Sequence, residues 1–149
     1  MLPPVSCNRW YEAPPELIFC AFTEPSLLER WFCPSPEIAM RVDRCDPRPG
    51  GLYRFIFHFP DSTVVPVRGE YQVVSPPRQL IFTWTWEPPD EHAGIPTLVT
   101  VDLAAHNGGT KLSLRHEHFP GDAIRGRHES GWAATLDRLA TLCHTSHEE

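Results

Sequence analysis

No apolar run in the chain approaches the roughly 18 to 20 residues that a helix needs to cross a bilayer, so no membrane span is expected. Concentrated positive charge is missing as well. Lys and Arg number 13 against 19 Asp and Glu, for a net charge of −6. The densest basic stretch, Arg125 to His128, is flanked by Asp122 and Glu129. Nucleic acid is therefore not an expected partner, because binding it needs clustered cations that displace counterions from phosphates. The five cysteines (Cys7, Cys20, Cys33, Cys45 and Cys143) are odd in number and have no CxxC spacing. Neither a disulfide framework nor a zinc site is expected from them, and reduced thiols suit a cytoplasmic protein. The opening Met1-Leu2-Pro3-Pro4 has neither a basic region nor an apolar run, so a signal peptide is not expected. GxSxG, P-loop, GxGxxG and HExxH patterns are all absent, and no cofactor is expected.

What the chain has in abundance is proline, 17 of 149 residues. Glycine adds only 9, which keeps the two together below the ~25–30% that marks a disordered chain. Leu, Ile, Val and Phe make up about a quarter of the residues, enough for a core of ordinary size. One domain over 1–149, with its core at about 5–143, fits this length.

Proline lacks a backbone donor, so the gaps between prolines are where regular elements belong. Val5 to Tyr11 reads as a strand. Pro14-Pro15 suits a helix start, with a helix over Glu16 to Thr23 and a second from Pro25 to about Phe32. Glu37 to Cys45 reads as a strand, and Tyr53 to Phe59 alternates aromatic residues at the strand period. Val64 to Val74 follows, with Pro66 placing that end at an edge or a bulge. Gln79 to Trp86, Thr97 to Ala104 and Thr110 to Phe119 complete the strands, the last two joined by an Asn107-Gly108-Gly109 hairpin turn. After Pro120 no proline occurs. His128, Trp132, Leu136, Leu139 and Cys143 then recur on one face of a long helix. Gly131 inside that helix suggests close packing there. The tail His144 to Glu149 is expected to fray. Strand, two short helices, six strands and a long helix make an α+β domain in which the helix covers one face of an antiparallel sheet.

Three stretches carry a resemblance. The first is Ala13-Pro14-Pro15-Glu16-Leu17-Ile18-Phe19 with Thr23-Glu24-Pro25 and Arg30-Trp31-Phe32. The second is Arg48-Pro49-Gly50-Gly51-Leu52-Tyr53-Arg54 with Gly69-Glu70-Tyr71 and Pro76 to Trp84. The third is Gly109-Thr110-Lys111-Leu112-Ser113-Leu114 with His116, Gly131-Trp132 and Leu136-Asp137-Arg138-Leu139. In order and spacing, from about residue 6 to 142, these resemble the family related to the C-terminal domain of the activator of heat-shock protein 90 ATPase. That family lies within the START-like (SRPBCC, birch-pollen-allergen-like) superfamily. The resemblance implies a helix-grip fold, a curved antiparallel sheet of six to seven strands wrapped around the C-terminal helix. The eukaryotic activator's co-chaperone work also depends on a separate N-terminal domain, so a domain of this kind on its own is expected to bind a small hydrophobic ligand.

Strand alternation and helix phase name the candidate ligand contacts. Phe55, Phe57, Trp84, Trp86, Val99, Val101, Leu112 and Leu114 should face the helix. Trp31 and Phe32 would close one end, and Trp132 would press down from the helix. The plainer reading of each is packing alone, but every indole N–H needs a partner, so five tryptophans favour a cleft. His116 and His118 continue the Leu112–Leu114 face, and His128 lies one turn before Trp132. Three imidazoles would serve as a polar anchor for a ligand, as zinc ligands, or as an acid/base near neutral pH. Glu70 and Asp102 fall on the opposite, solvent face. Beside a small hydrophobic ligand, two other readings stand. One is an enzyme of cyclase or hydratase type using His116 or His128. The other is a chaperone-related interaction module, which would need an exposed apolar patch. A homodimer through the strand edge near Pro66 is a further partner to consider.

Overall fold

Prolines stand at the boundaries of most elements. The computed structural model describes residues 2–148, with side chains described as far as Cys143. The elements are β1 (Val5–Tyr11), α1 (Pro15–Thr23), α2 (Pro25–Trp31), β2 (Ala39–Cys45), β3 (Leu52–His58), β4 (Val64–Ser75), β5 (Gln79–Trp86), β6 (Thr97–His106), β7 (Gly109–Glu117) and α3 (Asp122–Glu148). Pro15 and Pro25 each open a helix, where the missing N–H would have had no intrahelical partner. Glu24 ends α1 and caps the start of α2, so the two short helices meet at one extended residue. The backbone stays helical to Glu148, so the fraying expected from His144 onward is not seen there, and Glu149 lies outside the described residues.

The seven strands form one curved antiparallel sheet in the order β1-β7-β6-β5-β4-β3-β2. Consecutive strands from β2 to β7 are joined as a meander. The α1–α2 segment carries the chain from β1 at one edge to β2 at the other. This is the α+β helix-grip arrangement expected from the resemblance. Alternation decides the inner face. In β3 the buried residues are Tyr53, Phe55 and Phe57, and in β7 they include Leu112, Leu114 and His116. Glu70 and Asp102 are exposed, as the alternation requires.

Helix α3 lies on that inner face. Ile124, His128, Trp132, Leu136, Leu139 and Cys143 are buried at helical spacing. Polar tethers, among them the following, hold it there besides apolar contact. The Tyr11 hydroxyl of β1 donates to the Leu136 carbonyl at 2.8 Å. Arg138 reaches the C-terminal end of α2, donating to the carbonyls of Arg30, Trp31 and Cys33 at 3.3 to 3.5 Å. The Arg30 and Trp31 carbonyls close α2 and have no partner within the helix, and a cation suits the negative end of the helix dipole. Arg125 donates to the carbonyls of Pro3 and Pro4 just before β1.

Three local expectations are corrected. Pro66 is not at a sheet edge, because β4 lies between β3 and β5. Its carbonyl accepts from Glu87 N–H, one residue past the last residue of β5, so its missing donor faces the place where β5 has ended. The bulge in the β4–β5 pairing falls between Tyr71 and Val73 instead. The sheet's edges are β1 and β2, so a dimer through an edge would use those strands. Strand β7 ends at Glu117 rather than Phe119, because His118 adopts a left-handed backbone with φ 78°. Gly131 is not a point of close packing, since a Cβ built there meets nothing within 4 Å.

Leu136 is fully buried under the sheet. Leu136→Ala is expected to cost about 2–5 kcal/mol of stability through lost burial and the cavity left behind. A urea unfolding midpoint unchanged from wild type would contradict the central position of α3.

Candidate functional site

Between the N-terminal half of α3 and the β3–β5 side of the sheet lies a pocket of about 340 Å³. Phe57, Trp84 and Trp86 line it from the inner face of β3 and β5, with Phe59 and Val65 beside the β3–β4 hairpin. Phe32 and Pro34, just after α2, form another wall. Helix α3 supplies Arg127, His128, Gly131, Trp132 and Thr135. The helical spacing is informative: residues 127, 131 and 135 run as a stripe beside the buried stripe of 128, 132 and 136. Gly131 is the midpoint of that stripe, and its missing side chain leaves space over the pocket.

The walls are mostly rings in mutual contact. Phe32 meets Trp132 edge-on at 5.6 Å between centroids, Trp84 lies 5.6 Å from Trp132, and Trp84 meets Trp86 edge-on at 5.4 Å. Charge is confined to one side. Arg127 pairs with Asp90 of the β5–β6 loop at 2.9 Å, and its guanidinium lies 5.1 Å from the centre of the Trp86 ring.

Deeper in, two imidazoles join helix to sheet. Trp132 Nε1 donates to His116 Nδ1 at 2.9 Å, and Trp86 Nε1 donates to His128 Nε2 at 2.9 Å. An indole N–H can only donate, so those ring nitrogens are acceptors and the remaining nitrogen of each neutral ring carries the proton. His128 Nδ1–H donates to the Ile124 carbonyl at 2.8 Å. His116 Nε2–H donates to Thr97 Oγ1 at 2.7 Å, and Thr97 Oγ1 donates to the Trp84 carbonyl at 2.7 Å. The two rings stand 4.9 Å apart, edge to face. Burial holds both neutral. It lowers the His116 pKa well below the ordinary imidazole value, with His128 adding to the shift, and it lowers that of His128 to about 4. Each acceptor nitrogen is taken by an indole, so neither ring offers a free lone pair to act as a general base on a bound molecule.

The structure distributes the candidate residues unevenly. Phe57, Trp84, Trp86, His128 and Trp132 line the pocket, and His116 sits behind Trp132. Trp31 is fully buried behind Phe32, with its N–H on the Ala21 carbonyl, so Phe32 rather than Trp31 closes that end. Phe55 packs against Tyr53 and Phe32, while Val99, Val101 and Leu114 are core residues of β6 and β7 away from the pocket wall. His118 does not join the other histidines. Its left-handed backbone turns it outward, and Phe119 takes the inner position, 4.5 Å from the His116 ring. Among the described residues no three His, Cys, Asp or Glu side chains stand together as a metal centre requires. Asp90, Arg127 and Thr135 were not among the candidates. The step of four through 127, 131 and 135 marks Arg127 and Thr135, whereas nothing local marks Asp90, which reaches the helix from a loop.

The histidines set an acid limit. Between the ordinary imidazole pKa of 6.5 and about 4, the unfolded chain binds a proton at residue 128 that the folded protein does not. Stability is therefore fully present above pH 6.5 and falls as pH drops through that window. The expected loss by pH 4 is on the order of 3 kcal/mol from this group. Unfolding midpoints measured across the window should show a steeper decline for wild type than for His128→Gln, which retains an acceptor for Trp86 and does not titrate. Parallel curves would contradict a buried neutral His128.

Residues 12–144 match the family described as Activator of Hsp90 ATPase homolog 1-like protein. No curated protein matches this chain in sequence. Among solved structures, protein CV1439 from Chromobacterium violaceum is 28% identical with a TM-score of 0.85, over 96% of this chain and 98% of that one. The AHSA1 protein from Silicibacter pomeroyi is 24% identical with a TM-score of 0.83, over 98% and 99% of the two chains. DynU16, described as a putative protein in the dynemicin biosynthetic locus, is 19% identical with a TM-score of 0.79 and covers 98% of this chain and 49% of that one. The last two likenesses are of fold alone.

Proposed function

From the premise that the chain belongs to the Activator of Hsp90 ATPase homolog 1-like family, within the START-like superfamily, we propose that it binds a small hydrophobic molecule in the pocket under α3. The observation that carries this reading is Gly131. A glycine within a helix costs about 1 kcal/mol against alanine. Here it relieves no crowding, because a Cβ would meet nothing within 4 Å, and its position is on the pocket wall. The glycine thus leaves room for an occupant on the helix side of the pocket. The volume of about 340 Å³ lies at the low end of the range of small-molecule sites, and the ring-lined walls suit an apolar occupant.

The two other readings find less support. An acid/base role for His116 or His128 needs a lone pair that the two indoles already occupy. A protein-docking face needs contiguous apolar surface. The large apolar side chains exposed among the described residues are Trp10, Leu52 and Val64. Leu52 and Val64 stand at opposite ends of the β3–β4 hairpin, and Trp10 is on β1 at the far edge of the sheet. No helix among the described residues is long and apolar enough to cross a membrane. The five unpaired cysteines suit a reducing, cytoplasmic setting.

The test is a substitution that fills the pocket from the helix. Gly131→Leu is expected to keep or raise the melting temperature, since the side chain meets open space and helix propensity improves. It should abolish both the fluorescence gain of the neutral dye phenylnaphthylamine and the thermal shift that the dye gives wild type by mass action. Equal dye binding by wild type and Gly131→Leu would overturn the assignment of the site.

A further inference from the structure

Tryptophan pairing distinguishes one ring from the rest. Trp10 donates to the His106 carbonyl, Trp31 to the Ala21 carbonyl, Trp86 to His128 and Trp132 to His116, all at 2.8 or 2.9 Å. Trp84 Nε1 is buried and has no acceptor among the described residues. It is the one buried side-chain nitrogen or oxygen left in that condition among them. A buried donor without a partner is costly, because the group has given up water and received nothing in return. Trp84 is also a wall of the pocket, at the centre of its ring cluster, between Phe32, Trp86 and Trp132.

The unpaired donor and the pocket therefore coincide in one side chain. We infer that the ligand is an apolar ring compound bearing a hydrogen-bond acceptor, a ketone or lactone carbonyl, which receives the Trp84 N–H. This rests on the ligand-binding reading above and specifies the chemistry of that ligand. The indole can only donate, so the ligand group must accept. The nitrogen is covered in the structure, so binding must reorient the ring to bring N–H and carbonyl oxygen together. The neighbouring rings accommodate a flat apolar body, and no cation lies in that part of the wall. The guanidinium of Arg127 is held to one side by Asp90 and Trp86. A neutral carbonyl fits this wall better than a carboxylate, whose charge would be buried among rings without a counter-ion.

Two probes of nearly the same shape separate this inference from the broader reading. Fluorenone carries a carbonyl where fluorene carries a methylene. Their affinities are to be measured by displacement of phenylnaphthylamine from wild type, from Trp84→Phe, and from protein with benzothienylalanine at position 84, which keeps the indole shape and lacks the N–H. The expected result is a preference of wild type for fluorenone that is several-fold to about tenfold greater than the preference of either variant. The benzothienylalanine protein keeps the comparison decisive if Trp84→Phe loosens the core. The same fluorenone-to-fluorene ratio in all three proteins would overturn the carbonyl assignment while leaving the apolar pocket in place. Failure of wild type to bind phenylnaphthylamine or either probe would overturn both.

Discussion

An indole has one donor and no acceptor, and a neutral imidazole has one of each. The interior of this protein is organised around that asymmetry. Two tryptophans and two histidines, drawn from β5, β7 and α3, pair so that each buried N–H finds a lone pair. One link runs from Trp132 on the helix to His116 on the sheet, and the other from Trp86 on the sheet to His128 on the helix. The two bonds thus cross the helix–sheet interface in opposite directions. Either histidine, once protonated, would lose its acceptor and place a charge among rings, so the pairing holds only while both stay neutral.

This pairing also shapes the pocket. With His128 and Trp132 committed to the sheet, the adjacent stripe through Arg127, Gly131 and Thr135 lies over the space between α3 and β3–β5. Arg127 is held to one side by Asp90, and Gly131 has no side chain to fill the gap. The remaining ring at the centre, Trp84, has no acceptor for its N–H among the described residues, and its carbonyl anchors the Thr97–His116 end of the network. One residue thus belongs both to the hydrogen-bonded interior and to the pocket wall. The Activator of Hsp90 ATPase homolog 1-like family supplies the frame, and these pairings give this member's pocket its particular chemistry.

Much of the frame was legible in the chain. Pro14-Pro15 and Pro25 announced the short helices, aromatic alternation announced β3 and β5, and the proline-free stretch after Pro120 announced α3. Those signals are local, and local periodicity survives folding wherever an element has one buried face. Trp84, Trp86, Phe57, His128 and Trp132 were legible for the same reason. His118 was misplaced because alternation assumes an extended backbone, and the chain turns left-handed there. Pro66 was misread because strand order, unlike strand identity, depends on pairing at a distance. Gly131 looked like a packing site because a sequence cannot distinguish a glycine that admits a neighbour from one that leaves a space. The His–Trp pairing was out of reach in its detail, since it joins residues 16 and 42 positions apart through specific ring nitrogens.

The most direct test of this interior is the tautomer of each buried histidine. Long-range proton–nitrogen correlation spectra of uniformly nitrogen-labelled protein at neutral pH report it, with assignment by single His substitutions. The expected result is two neutral rings of opposite tautomer. His116 should be protonated at Nε2 with a bare Nδ1, and His128 protonated at Nδ1 with a bare Nε2. A cationic ring at either position, or the same tautomer at both, would contradict the indole–imidazole pairing on which the helix, the sheet and the pocket between them depend.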